Sequence, residues 1–328
     1  MNYRRLGKTN FNVSEISLGT WQVGGKWGED FSDQTADTIL NEAIDGGVNF
    51  IDTADVYSAG LSEKAVGRIV RSRSERIYVA SKCGRQINPH VNEGYTKEAL
   101  TKYVDETLQR TGLERIDLIQ LHCPPTEVYY RPEIFGLFED LKTAGKIQHL
   151  GVSVEKVEEG LKAMEFDNVT TIQVIFNVFR QRPLEVLFPT AQRKDVGIIV
   201  RVPLASGLLT GKFSPDTTFG EEDHRHFNRD GAGFDKGETF SGVDYDLGLR
   251  AVERIKELFP EGDSLAQRAL QWVLRHDAVS TVIPGASRVE HVRSNLAATD
   301  LAPLSDAQYD GLNAVYTDLV KATVHQLW

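Results

Sequence analysis

Eight short apolar runs, separated by longer amphipathic segments, set the tightest limit on how this chain can fold. They occupy residues 16–18, 48–53, 77–81, 116–121, 147–153, 171–176, 197–202 and 279–284. Each is rich in Ile, Val and Leu, with little polar alternation. Strands covered on both faces read this way, and the usual reason is a parallel sheet wrapped by helices. Helical patterns fill the intervals at 35–45, 96–111, 132–144, 154–164, 184–194, 264–275 and 289–298. Several carry end signals: Gly46-Gly47 and Gly112 stop two of them, and Pro132 opens a third. The pattern predicts an α/β protein, a (β/α)8 barrel, as one domain over 1–328. The alternative, a doubly wound open sheet, wants Gly-x-Gly-x-x-Gly after the first strand. The chain instead reads Gly19-Thr20-Trp21-Gln22-Val23-Gly24-Gly25, with a bulky indole where close backbone approach is required.

Two additions to the barrel are expected. Residues 4–16 read as a hairpin about Gly7-Lys8-Thr9-Asn10, placed to plug the barrel bottom. Residues 214–246, after the seventh strand, are rich in Gly, Asp, Glu and His and lack periodicity. A loop of that length is usually functional, often as a lid, or else disordered.

Composition removes several function classes. The net charge is −10 with both signs mixed along the chain, which disfavours nucleic acid and anionic membrane surfaces. The two cysteines, Cys83 and Cys123, are too few for a disulfide framework and fit a reducing compartment. Alternation along the strands points both thiols away from the barrel interior, as small packing residues. The opening Met1-Asn2-Tyr3-Arg4-Arg5-Leu6 begins no signal peptide, and no run approaches the roughly 20 apolar residues that span a bilayer. A cytoplasmic location is expected.

Active sites of β/α barrels form where strands end at the C-terminal face. The second strand ends at Asp52, with Tyr57 just beyond it; the third ends at Lys82 and the fourth at His122. Singly, each has an ordinary structural reading: a turn aspartate, a solvated lysine, a hydrogen-bonding histidine. At adjacent strand ends they would face one mouth. A phenol with a pKa of about 10 is a poor acid near neutrality, and a neighbouring ammonium is expected to lower that value. Asp52 would hold the ammonium, and His122 would orient a substrate oxygen. The group suits protonation of a carbonyl oxygen that becomes an alcohol. It calls for no metal, and no serine or cysteine nucleophile with a neighbouring base is evident.

These residues sit in long, ordered motifs. Phe50-Ile51-Asp52-Thr53-Ala54-Asp55-Val56-Tyr57, followed by Ser62-Glu63, Val66 and Gly67, resembles the signature of the aldo-keto reductase superfamily. So do Leu118-Ile119-Gln120-Leu121-His122, Gly145-Lys146-Ile147, Gly151-Val152-Ser153 and Ile283-Pro284-Gly285-Ala286 with Asn295. The resemblance covers nearly the whole chain and is nearest to the bacterial branch of inositol-utilisation and general-stress reductases. It implies hydride transfer with NADP, NAD being the alternative, and a catalytic tetrad of Asp52, Tyr57, Lys82 and His122. It implies cofactor contacts from Gly19, Thr20, Trp21 and Asp52, and from Ser153 and Gln173 at the carboxamide. Pro203, Leu204, Ser206, Gly207, Leu209, Gly211 and Lys212 would lie over the pyrophosphate. Gly285, Ser287, Arg288, His291 and Asn295 would grip the adenosine phosphate and adenine.

The chain departs from that pattern in places. Val154 stands where many relatives have Asn. Arg201-Val202 replaces Tyr-Ser, so Arg201 would stack on the nicotinamide or reach a substrate anion, its plain alternative being a surface ion pair. Gly285 and His291 stand where NADP-preferring members often carry Lys and Arg, leaving Arg288 as the clear cation. The substrate pocket is expected to include Trp21, Trp27, Tyr57, His122 and Tyr129, with Trp328 a weaker candidate. The leading expectation is an enzyme that reduces aldehydes or ketones, or runs the reverse oxidation of a sugar or alcohol. The others are an NAD-dependent sugar dehydrogenase, a cofactor-binding regulatory module like the potassium-channel β subunits, and a barrel isomerase or hydrolase using Asp52 and His122. A small-molecule partner is expected in each enzymatic case; the sequence leaves the oligomeric state open.

Overall fold

The structure, a computed structural model, describes residues 1–25 and 28–328. A short antiparallel pair comes first, β1 (Tyr3–Arg5) against β2 (Asn12–Ser14). The barrel strands follow: β3 (Leu18–Gly19), β4 (Phe50–Asp52), β5 (Tyr78–Cys83), β6 (Ile116–His122), β7 (Ile147–Ser153), β8 (Val169–Ile175), β9 (Gly197–Arg201) and β10 (Val279–Val282). They form one eight-stranded parallel sheet in chain order. Parallel bridges from Ile16 to Val282 and from Gly19 to Gly285 join its first and last members. Each apolar run read from the sequence overlaps one strand, and in four of them the strand extends one or two residues past the run.

Among the described residues the α-helices are α1 (Asp33–Asp45), α2 (Leu61–Ser72), α3 (Lys97–Thr111), α4 (Pro132–Thr143), α5 (Val157–Ala163), α6 (Leu187–Arg193), α7 (His224–Phe227), α8 (Tyr245–Lys256), α9 (Leu265–Leu274), α10 (Val289–Leu296), α11 (Asp306–Val315) and α12 (Lys321–Val324). Local chemistry sets their ends. Ser32 caps α1 by accepting from the Thr35 amide, Thr96 caps α3 through Ala99, and Gly112 ends α3 in the left-handed region at φ 65°. Five helices were not anticipated: α7 and α12 are single turns, and three are longer. In α2 a mid-helix glycine masks the apolar stripe of Ala65, Val66 and Ile69. Gly67 is needed there because a Cβ would lie 2.0 Å from the Thr111 carbonyl oxygen of α3. The other two are α8, buried along Tyr245, Gly248, Ala251, Val252 and Ile255, and α11.

The main core lies between strands and helices. Inside the barrel, side-chain alternation builds distinct layers. The lowest contains Phe50, Ala80, Leu118, Ile199 and Ile283, and Leu6, Phe11 and Val13 of the N-terminal hairpin pack against them. The hairpin therefore plugs the bottom, as its position suggests. One step up each strand the inward residues are Asp52, Lys82, Gln120 and Gln173, and the barrel becomes polar. Among the described residues no helix is long and apolar enough to cross a membrane.

Candidate active site

Lys82 is the hinge of this polar layer. Its ammonium is 1% exposed and donates to the Asp52 carboxylate, to the Thr53 carbonyl at 2.8 Å and to the Tyr57 phenol oxygen at 3.3 Å. Asp52 is held from its other oxygen by the Gln173 amide at 2.8 Å and the Gln120 amide at 3.0 Å. Gln120 was not singled out in the sequence, although strand alternation places it on the same inner face as His122. Asp52 and Lys82 sit inside strands, so their positions are fixed by the sheet. Tyr57 sits beyond β4, on a turn whose next residues, Ser58 and Ala59, take left-handed φ values of 48° and 52°. Gly60 completes that reversal at φ 85° and lets the chain enter α2.

Burial decides the electrostatics. It works against the Lys82 ammonium, but the neighbouring Asp52 and Tyr57 outweigh it and raise the pKa, so the lysine stays charged. For Tyr57 the balance goes the other way from the sequence expectation. Burial raises the phenol's pKa by more than the Lys82 charge lowers it. The phenol is therefore firmly protonated at neutral pH. His122 is held well below its ordinary value, first by burial and then by the charges of Arg85, Lys82 and Arg201. It is a neutral imidazole, its ring edge-on to Tyr57 at 6.1 Å, and its Nδ1 has no hydrogen-bond partner among the described residues.

The mouth above is walled by rings. Trp21 lies nearly parallel to Tyr57, with centroids 6.2 Å apart. His224 and Phe234, from the long segment after β9, approach the same indole at 5.1 and 6.0 Å. That segment is ordered over the barrel mouth: Asn228 Oδ1 accepts from the Gly233 and Phe234 amides, and Asp223, His224, Glu238 and Thr239 are buried. Its composition hid this because the turns are held by side-chain-to-backbone bonds, which leave no period. Trp27 lies outside the described residues.

Several expected positions differ. Arg201 forms a buried ion pair rather than a surface one. It is 8% exposed, donates to Glu155 at 2.9 Å and to the Val154 carbonyl at 3.2 Å, and pairs with Glu238 at 3.3 Å. Tyr129 is 0% exposed and belongs to the main core rather than to an open pocket wall, because its 3-10 turn (Thr126–Tyr130) rolls the ring inward. Gln173 spends its amide on Asp52 and Gln120, and only its carbonyl oxygen meets Ser153, at 3.5 Å. Cys83 packs outward as expected. Cys123 does not, because the chain turns left-handed at φ 47° after β6 and ends the alternation. Its sulfur lies 3.5 Å from Ser153 Oγ and 3.6 Å from Arg201. Cys123, Glu155 and Glu238 cluster closely enough to hold a cation, but the Arg201 guanidinium already fills that role.

The remaining residues that the resemblance assigns to a cofactor lie at the end of β3, in the turns after β9 and at the start of α10. Gly19 backs onto Ile283, where a Cβ would lie 2.8 Å from the carbonyl oxygen. Thr20 donates to the Asp52 carbonyl at 3.0 Å. Pro203, Leu204, Ser206, Gly207, Leu209, Gly211 and Lys212 run through the turns after β9, with Gly207 at φ 99° and Gly211 at φ 71°. At the start of α10, Ser287 contacts His291 at 3.4 Å, and the exposed Arg288 donates to His291 at 3.0 Å. Gly285 is exposed beside them and Asn295 is buried in α10.

Comparison with known proteins agrees with this architecture. The model of the aldo/keto reductase family matches residues 15–317. The uncharacterized oxidoreductase YqkF of Bacillus subtilis (strain 168) is 29% identical over 326 residues, covering 98% of this chain and 99% of the relative. The NADH-specific methylglyoxal reductase of Escherichia coli (strain K12) is 28% identical over 327 residues, covering 92% and 94%. Among solved structures, aldo-keto reductase AKR11C1 from Bacillus halodurans in its holo form superposes with a TM-score of 0.78 at 27% identity, covering 100% of this chain and 99% of that one. An aldo-keto reductase from Klebsiella pneumoniae in complex with NADPH gives 0.68 at 26% identity, covering 96% and 95%. By its fold, its inward polar layer and these matches, the chain belongs to the aldo/keto reductase family and is an oxidoreductase of carbonyl compounds.

Proposed function

We propose that this protein reduces an aldehyde or ketone at the mouth of the barrel, with Tyr57 as the acid. The observation that carries this is the buried ammonium of Lys82, which touches both Asp52 and the phenol. A bound nicotinamide dinucleotide supplies the hydride. The residues present fit such a group: left-handed turns at Gly207 and Gly211 after β9, and an exposed guanidinium at the head of α10 for a phosphate. NADP is the reading favoured by Arg288 and by the Klebsiella neighbour. NAD stands beside it, because Gly285 and His291 supply no further fixed cation and the Escherichia coli relative is NADH-specific.

The chain's own part is proton handling. The neutral His122 imidazole orients the substrate oxygen by one hydrogen bond. Tyr57 then gives its proton to that oxygen as negative charge builds there. The phenol is reluctant to ionise, but an oxygen becoming an alkoxide is a much stronger base than phenolate. The Lys82 ammonium, 3.3 Å away, takes up the charge left on Tyr57, and Asp52 keeps that ammonium fixed. In the reverse direction Tyr57 accepts the alcohol proton. Trp21 walls the substrate, and the nearby rings favour a flat or apolar group beside the carbonyl. Titration with NADPH and NADH by quenching of tryptophan fluorescence, followed by turnover of a generic aldehyde, tests this. Binding without turnover of any carbonyl compound would instead favour a regulatory module.

A further inference from the structure

We infer that Glu238 is a positioning residue for this reaction, binding the segment over the barrel mouth to the catalytic group through Arg85 and Arg201. The inference rests on the reading of Tyr57 as acid. Glu238 arrives on the long segment after β9, where sequence alone assigned it no role. It is 7% exposed and grips two guanidiniums from different parts of the barrel: Arg85, after β5, at 2.8 Å, and Arg201, at the end of β9, at 3.3 Å. Its backbone is docked too. The Glu238 carbonyl accepts from Ser206 Oγ at 3.1 Å, and the same hydroxyl accepts from the Phe240 amide at 3.0 Å. A second fastening lies behind it. The Trp328 indole donates to Asp235 at 2.8 Å, lies under Arg180 at 4.3 Å and fills the space beside Gly237 and Gly242.

A carboxylate is buried at such cost only when paired, and loss of one partner leaves the others exposed to that cost. Burial alone would raise the pKa of Glu238, yet the Arg201 and Arg85 guanidiniums hold it below the usual carboxylate range. Two routes lead from Glu238 to the phenol. One is packing: Arg85 lies over Phe234 at 5.5 Å, Phe234 meets Trp21 at 6.0 Å, and Trp21 stacks on Tyr57. The other is charge. Tyr57 feels Lys82 and Asp52 from the barrel and Glu238 from the segment above, beyond the effect of burial. Around Glu238 itself stand Arg85, Arg180, Arg201, Glu155, Cys123, Asp235 and His224, and around His122 the cations Arg85, Lys82 and Arg201. The carboxylate thus offsets guanidiniums that face the reacting groups.

The test compares the wild-type protein with E238Q and E238D. Hydrogen exchange over 223–240 should speed up at least about tenfold in E238Q, as expected for loss of about 1.4 kcal/mol of local stability; unchanged exchange overturns the clamp. Tyr57 must be protonated to act, so activity falls as pH rises through its pKa. Removing the Glu238 charge lowers that pKa, and the alkaline limb of NADPH-dependent aldehyde reduction should move down by roughly 0.5–1 pH unit. E238D, which keeps the charge, should leave the limb in place. A limb that stays put in E238Q, or one that moves as far in E238D, overturns the positioning role. If E238Q does not fold, R85Q carries the exchange measurement from the partially exposed side of the pair: its exchange should speed up likewise, and unchanged exchange overturns the inference. Failure of the wild-type protein to reduce any aldehyde would sink the assignment of function, and the exchange comparison would still decide the clamp.

Discussion

The Lys82 ammonium lies 3.3 Å from the Tyr57 phenol oxygen at the inner end of a fully buried contact with Asp52. Two consequences follow. The lysine cannot lose its charge cheaply, and any negative charge formed on the phenol meets a fixed cation. Replacing Lys82 with Met keeps the volume and deletes that cation. We expect kcat to fall by roughly 10²–10⁴-fold, since one group of an acid–base apparatus is removed, and stability to fall by about 3–5 kcal/mol as the buried Asp52 loses its partner. Steady-state kinetics with circular dichroism measure both.

Arg288 is the exposed cation at the head of α10, bonded to His291 and 3.9 Å from Glu290. If it reads a phosphate, Arg288→Ala should weaken NADPH by about tenfold, or about 1.4 kcal/mol, and NADH far less. Equal losses in a fluorescence titration would mean that Arg288 serves only the local helix start.

Asp55, two residues before Tyr57, is 2% exposed, and burial together with the Glu63 charge raises its pKa to about 7. In the unfolded chain it titrates near 3.9. The folded protein therefore holds this proton more tightly, and stability declines as pH rises from about 4 to about 7, then levels. Asp55→Asn removes that penalty. The variant should melt higher than wild type at pH 8, by an increment of roughly 4 kcal/mol at most, with the gap closing toward pH 4. A constant gap across a pH series of thermal melts would contradict this.

Phe11 stoppers the far end of the barrel, stacked on Tyr78 with centroids 4.2 Å apart. Phe11→Ala should cost about 3–5 kcal/mol of stability by leaving a cavity. The polar layer lies a full step higher on each strand, so kcat should stay near the wild-type value. Urea unfolding and a single kinetic assay separate the two effects.

What could be read from the chain follows from how each feature is encoded. The strands were legible because burial on both faces leaves continuous apolar runs, and inward alternation then puts Asp52, Lys82 and His122 toward one mouth. Gln120 obeys the same alternation and was passed over only because a glutamine carries no obvious chemistry. Arg85, Glu155, His224, Phe234 and Glu238 were not legible. They meet only when one long, aperiodic segment docks on three separate connections, and no local pattern records that. Cys123 was placed on the wrong face because a single left-handed residue breaks the alternation. The direction of the Tyr57 pKa was missed because a sequence gives neighbours in the chain but not the depth at which they are buried.

The central claim is that the Tyr57 phenol delivers the proton. Tyr57→Phe deletes one oxygen and keeps the ring against Trp21. Turnover of an aldehyde that the wild-type protein reduces should fall by roughly 10²–10⁴-fold, with the cofactor dissociation constant nearly unchanged. Turnover within a few-fold of wild type would contradict it.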